Sequence, residues 1–182
     1  MRGSVTKVMS YEGGIIVTAA WGMQHLNHMD DSARAVFAAL NIKRQLTMFQ
    51  QDMSIADDSF VEPPVHIGIA TGEIFQGVVG NYMRREVVNI GATFDLALVL
   101  MQVALKHYGR IYCDFRTKQL GSHLVDFTFV EHLELGHKLK NEAIFQPTAS
   151  REGHDESIFR QVDEQLDTKL KELLDSKKNA LA

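Results

Sequence analysis

Cysteine is almost absent from this chain: Cys113 stands alone among 182 residues. One thiol closes no intramolecular disulfide, and such usage suits a reducing compartment. Long apolar runs are absent too. Stretches such as residues 96–100 are far too short to span a bilayer. No apolar signal core follows the opening Met1, Arg2, Gly3 and Ser4. There is no excess of positive charge, since the formal net charge is −4, and nothing in that balance points to nucleic acid or an anionic membrane. Internal repeats and low-complexity tracts are missing. The expectation is a soluble chain of the cytoplasm or cytoskeleton. What is present is 45% apolar residues, enough for one domain with a true core plus appendages.

Apolar patterning gives the elements. Residues 4–10 and 15–21 read as strands joined by the turn chemistry of Tyr11, Glu12, Gly13 and Gly14. Residues 22–29 read as a polar loop. Its His25 and His28 have the spacing of a metal pair, but no further ligand is suitably placed. Asp30, Asp31 and Ser32 suit a helix N-terminus. The stripe Ala35, Ala39, Ile42, Leu46, Phe49 and Met53 then predicts a core-facing helix, with Arg34, Lys43, Arg44 and Gln45 on a solvated opposite face. Asp57 and Asp58, beside Pro63 and Pro64, belong to a connecting loop.

Residues 65–101 are the organising stretch. Val65, Ile67 and Ile69 alternate, Thr71-Gly72-Glu73 turns, residues 74–79 are β-rich, and residues 84–90 run from basic to apolar before Gly91. Phe94, Ala97, Leu98, Met101, Leu105 and Tyr108 then recur at threes and fours, as one helix face does. Beyond Gly109, residues 110–113 read as a strand, 114–120 as a short helix, and 127–133 and 142–145 as closing strands. Residues 150–155 form a polar linker. Residues 157–174 form an amphipathic helix with Ile158, Val162, Leu166, Leu170 and Leu173 on one side. Eighteen residues of helix are marginal alone in water, so this helix is expected to bury its stripe against protein.

Gly68-Ile69, Thr71-Gly72-Glu73, Gly77, Gly80, Arg84, residues 88–91 and residues 94–99, taken in that order and spacing, resemble the class III nucleotide cyclases. Those enzymes make cyclic AMP or cyclic GMP. Residues 7–22 and 30–36 are most similar to the second catalytic half of soluble adenylyl cyclase. The likeness covers about residues 5–147. It implies an α+β, ferredoxin-like fold in which a mixed, mostly antiparallel sheet holds residues 5–10, 15–21, 65–70 and 74–79, with helices over 31–53 and 93–108 packed on one face of it. It also implies a homology domain over 1–148, a linker over 149–156 and an appended helix over 157–176. Residues 136–140 occupy the place of the family's Lys-Gly turn. The family's first strand and the two helices after it have no counterpart in the sequence, so a strand from elsewhere is expected between residues 15–21 and 65–70.

The resemblance further implies a site shared by two such domains. One supplies two metal-binding aspartates. The other supplies a base-recognising Lys, a polar base-edge residue, a ribose-positioning Asn and a phosphate-binding Arg. Here the lysine falls on Lys7, and the base-edge residue on Val88, beside which the backbone of Asn89 could serve. The Asn falls on Asp95, an ionised acceptor that would repel phosphate. The Arg falls on Val99, which carries no charge. Arg84 and Arg85 match a position outside the usual catalytic set. The metal-binding half fares no better, because the turn over residues 11–14 contains no aspartate.

The expectation is therefore a catalytically degenerate cyclase-homology domain with a structural or regulatory role, partnered by another cyclase-type domain or assembly subunit. Lys7, Val88 and Asn89 are its nucleotide-binding candidates, with no catalytic or metal residue. Two alternatives stand beside this. One is a working subunit using Mg²⁺ or Mn²⁺ with ATP or GTP. The other is a nucleotide sensor. A ciliary setting is implied by resemblance alone.

Overall fold

A computed structural model of the chain describes residues 3–23, 27–56, 64–107, 110–134, 141–150 and 168. Strands β1 (Ser4–Tyr11) and β2 (Gly14–Ala20) form an antiparallel hairpin, as expected. Helix α1 (Asp31–Ala56) follows. Then come β3 (Ile67–Ile69), β4 (Phe75–Gly80), β5 (Arg85–Ile90) and α2 (Ala92–Lys106). The chain continues through β6 (Ile111–Cys113), α3 (Phe115–Gly121), β7 (Val125–Leu133) and β8 (Glu142–Ser150).

The strands do not form one sheet. β3, β6, β8 and β7 make a four-stranded sheet in that order, while β1–β2 and β4–β5 are separate hairpins. This corrects the expectation of a single sheet holding residues 5–10, 15–21, 65–70 and 74–79. Among the described residues, β2 and β3 are not hydrogen-bonded to each other, and each keeps an edge without a partner.

The core is built on both sides of β6. Side chains alternate across a strand. Ile111 and Cys113 pack with Ala33, Val36, Phe37 and Ala39 of α1, joined by Ile67 and Ile69. Tyr112, facing the other way, packs with Leu100, Val103 and Ala104 of α2 and with Ile144. Helices α1 and α2 thus lie on opposite faces of the parallel β3–β6 pair. The sequence reading had them on one face. Periodicity shows that a helix has an apolar side, but not which side of the sheet receives it. Gly68 explains how α2 comes so close: an added Cβ there would collide with the backbone at Ala97 and Met101.

A polar knot fixes the ends of this pair. Asp114 caps α3, its Oδ1 accepting from the Thr117 backbone N–H at 2.9 Å and from that of Thr71 at 3.3 Å. The Thr71 and Thr117 hydroxyls lie 2.7 Å apart, and Ser32 of α1 reaches Thr71 at 3.2 Å. Burial holds the Asp114 carboxyl above its ordinary range. Nearby Glu142 adds to the rise, and the bonds from Thr117 and Thr71 oppose it.

Two local readings are corrected. Arg34, expected on a solvated face, is fully buried, its Nε donating to Asp30 Oδ1 at 2.9 Å. An arginine whose charge is met one turn back can be enclosed. β8 runs through the buried Pro147 to Ser150, so positions 149 and 150 belong to the strand and not the linker. The ladder accommodates a residue without an N–H by a register shift between Asp126 and Phe127, with Phe127 opposite Pro147. Residues 136–140, 157–167, 169–176, His25, Asp57 and Asp58 lie outside the described residues.

Gly68→Ala should destabilise the domain by about 1–3 kcal/mol by wedging α2 off β3. The check is a lowered urea midpoint at unchanged slope. A second expectation concerns Asp114. Its folded-state pKa is raised, so ionisation costs nothing below the unfolded value, and the cost grows to its full size as pH rises through the folded value. Asp114→Asn keeps an acceptor oxygen and removes the charge. Its stability relative to wild type should be most favourable at neutral pH, the advantage shrinking as pH falls. Asp114→Ala should lose about 0.5–2 kcal/mol with the cap. Thermal unfolding of the three proteins across a pH series reads all of this.

Candidate functional site

Lys7 sits on β1 opposite Thr18, directly after a register shift between Val5 and Lys7. Such an irregularity re-aims the side chain beside it. Its Nζ lies 3.5 Å from Glu86 Oε1 on β5, with both side chains about half exposed. This ion pair links the β1–β2 hairpin to the β4–β5 hairpin. Sequence reasoning missed Glu86. It lies next to the apolar Val87 and Val88 on β5, and only tertiary structure brings it to Lys7.

Val88, paired with Gly77, is half-buried. It helps line an open depression of about 380 Å³ with Val79, Gly80, Asn81, Arg84 and Glu86. Asn81 shapes the rim, its Oδ1 accepting from the backbone N–H groups of Met83 at 2.8 Å and Arg84 at 3.1 Å. Asn89 is held by its side chain, whose Oδ1 accepts from Gln76 Nε2 at 3.2 Å. The structure therefore groups Lys7, Glu86 and Val88 around one end of the β4–β5 hairpin, with Asn89 on the adjoining rung.

Asp95 and Val99 follow on α2. Gly91 leads directly from β5 into that helix, and the Thr93 hydroxyl donates to the Glu73 carbonyl at 3.0 Å, pinning the helix start. Asp95 is exposed in the first turn. Val99 is half-buried and packs on the cluster of Leu100, Val103, Ala104, Tyr112 and Ile144. Among the described residues no hydrogen bond or ion pair joins Asp95 to the Lys7–Glu86 group.

The residues around the depression do not fit a metal ion. Glu86 is the one carboxylate lining it, and it is held by Lys7. Among the described residues no group of three or more His, Cys, Asp or Glu is placed to hold a metal. No described helix is long and apolar enough to cross a membrane.

No family model matches the chain, and no curated protein matches it significantly. Solved structures do resemble it. The adenylyl cyclase CyaB from P. aeruginosa matches at a TM-score of 0.67 and 19% identity, over 80% of this chain and 72% of that one. The guanylyl cyclase Cya2 matches at 0.63 and 20%, over 83% and 72%. The guanylate cyclase domain of RhGC from Catenaria anguillulae, solved in complex with GTP, matches at 0.64 and 19%, over 79% and 72%. With β3, β6, β8 and β7 forming the sheet and α1 and α2 packed on it, the chain has the fold of the class III adenylyl/guanylyl cyclase catalytic domains.

Proposed function

We propose that this domain is a catalytically degenerate member of that fold, and that it serves a structural or regulatory role paired with a second cyclase-type domain. One observation carries the reading. Where the resemblance places the phosphate-binding Arg, a half-buried Val99 packs against the core cluster. Four residues earlier, Asp95 presents a carboxylate in place of the ribose-positioning Asn. A preorganised cation facing developing phosphate charge is typically worth about 10²–10³ in rate. Val99 supplies none of it, and Asp95 opposes an approaching triphosphate.

Two further features support pairing over solitary catalysis. Val5, Val8, Ile15 and Val17 on the first hairpin, and Phe75, Val78 and Val79 on the second, are all more than half exposed. Apolar surface on this scale marks an interaction face. Among the described residues one edge of β2 and one edge of β3 have no partner strand, and open edges invite association. A strand from outside the described residues, supplied by an assembly partner, would close the gap. The Lys7–Glu86 pair weighs against a nucleotide sensor, because a base-recognising lysine would first have to leave its carboxylate.

The test is turnover of ATP and of GTP with Mn²⁺, by the chain alone and mixed with a domain carrying both metal-binding aspartates. Activity should stay at least about 10²-fold below an intact cyclase in both settings. Turnover at the level of an intact enzyme would overturn the reading. In the mixture, Asp95→Asn with Val99→Arg should gain activity over wild type. A double variant less active than an already active wild type would give Asp95 a catalytic task. Lys7→Ala and Glu86→Ala should each change stability by less than about 1 kcal/mol, as befits a half-exposed pair. Nucleotide binding measured by calorimetry should be no stronger in wild type than in Lys7→Ala.

A further inference from the structure

Helix α1 covers only part of the sheet face it lies on. From β6 and β7 its cluster takes Ile111, Cys113, Val125 and Phe127. Phe145 of β8 is paired with Cys113 on one side and with Phe129 of β7 on the other. Residues paired directly across antiparallel strands share a face. Phe129 and Phe145 therefore lie on the α1 side of the sheet, yet among the described residues neither belongs to a core cluster. Phe115, the first residue of α3, reaches Phe145 instead, and its backbone N–H donates to Glu142 Oε1 of β8 at 3.2 Å. Phe115 and Phe129 remain 48% and 51% exposed.

These rings form one run. The centroids of Phe115 and Phe145 are 6.1 Å apart, those of Phe145 and Phe129 5.8 Å, and those of Phe129 and the exposed His132 5.1 Å. Lys118 of α3 places its Nζ 6.0 Å from the Phe115 centroid and 5.7 Å from that of Phe145. An ammonium at such a distance is attracted by the ring faces. The rings thus hold a cation at one end of a partly exposed apolar surface. Among the described residues no carboxylate pairs with Lys118, or with the exposed Arg116 on the same helix.

We propose that this aromatic run with Lys118 docks a segment of a partner protein that carries a carboxylate beside an apolar or aromatic side chain. The choice of occupant rests on charge complementarity. The carboxylate meets Lys118 where the rings already hold it, and the apolar side chain lies on Phe129 and Phe145. A side chain placed beforehand loses less freedom on binding. Aromatic anchors with a charge at their margin are the usual source of binding energy at protein interfaces. The other anionic partners fit less well. Neighbouring rings are tilted by 48°, 69° and 55°, so no two of them offer parallel faces to successive bases. The net charge of −4 opposes a phosphate backbone. Glu131 and Glu142, on β7 and β8, set like charge against an anionic bilayer.

This surface belongs to α3, β7 and β8 and includes no residue of the β1–β2 or β4–β5 hairpins. It is therefore distinct from the faces assigned above to a cyclase-type partner, and it does not depend on that reading. One chain can engage a related domain through its hairpins and a second protein through its sheet.

Fluorescence anisotropy of the full chain with labelled short peptides tests this. One peptide alternates Glu with Leu and Phe, a second has Gln in place of each Glu, and a third has Lys. In about 0.1 M salt, where distant surface charges are screened, the acidic peptide should bind at least about tenfold tighter than the Gln peptide, and the Lys peptide weakest. Lys118→Gln should remove that preference, and Lys118→Arg should keep it. Phe129→Thr should weaken the acidic and Gln peptides alike. Amide exchange in β6 shows whether that variant is folded, and Phe129→Leu replaces it where it is not. Lys43→Gln, which removes an exposed charge from α1 instead, should change nothing. No binding of the acidic peptide up to about 1 mM would overturn the proposal. Equal affinity for the acidic and Lys peptides would do the same, as would a preference that survives Lys118→Gln. Tighter, Lys118-dependent binding of a labelled oligo-dT or of phosphatidylserine vesicles would also overturn it, by assigning the surface to nucleic acid or to a membrane.

Discussion

Three residues of β3 lie parallel to three of β6, and both halves of the core rest on that contact. The Ile67 N–H donates to the Arg110 carbonyl and the Asp114 N–H to the Ile69 carbonyl, each at 3.2 Å, closing the pair at its two ends. Parallel strands are stable chiefly when covered on both faces. Here α1 covers one face through Ile67, Ile69, Ile111 and Cys113, and α2 the other through Tyr112 and the bare backbone of Gly68. A larger residue at position 68 would lift α2, and with it the Gly91 junction that ties α2 to β5. The geometry of the candidate site is thus inherited from a packing contact that contains none of its residues.

The same pair explains the cost and the use of burying Asp114. An ionised carboxylate in the interior is unfavourable unless its oxygens are satisfied. Thr71 and Thr117 satisfy them, and in doing so join the end of β3 to α3, while Ser32 brings in α1. One buried acid therefore registers three elements against each other. Cys113, its neighbour, is enclosed completely, and burial pushes its thiol well above the ordinary range. That thiol is a packing group, not a nucleophile.

How much of this the sequence carried depends on the range over which each signal acts. The β1–β2 hairpin was legible, because Gly13 and Gly14 mark its turn locally. The strand before Gly91 and the helix after it were legible for the same reason. The turn between β4 and β5 was harder to read, since it is built on the Asn81 side chain bonding to the Met83 and Arg84 N–H groups. Strand β8 continues past Phe145, where the sequence reading ends it, because its partner slips register opposite Pro147, and the partner is not visible from β8 alone. Lys7 was legible as a candidate, but Glu86 was not, because their meeting depends on how two hairpins lie together. Arg34 read as solvated for a related reason: charge predicts exposure until a partner such as Asp30 makes enclosure affordable.

Position 99 shows how function and packing compete for one residue. A valine there adds apolar surface to the cluster of Leu100, Val103, Ala104, Tyr112 and Ile144. Burying such a side chain contributes roughly 1.5–3 kcal/mol when complete, and less for a residue that stays half-buried. An arginine at that point of α2 would have to lay its stem on the cluster and carry its head out to water or phosphate. The charge that stabilises a transition state and the methyl groups that stabilise the helix are thus alternatives at one site.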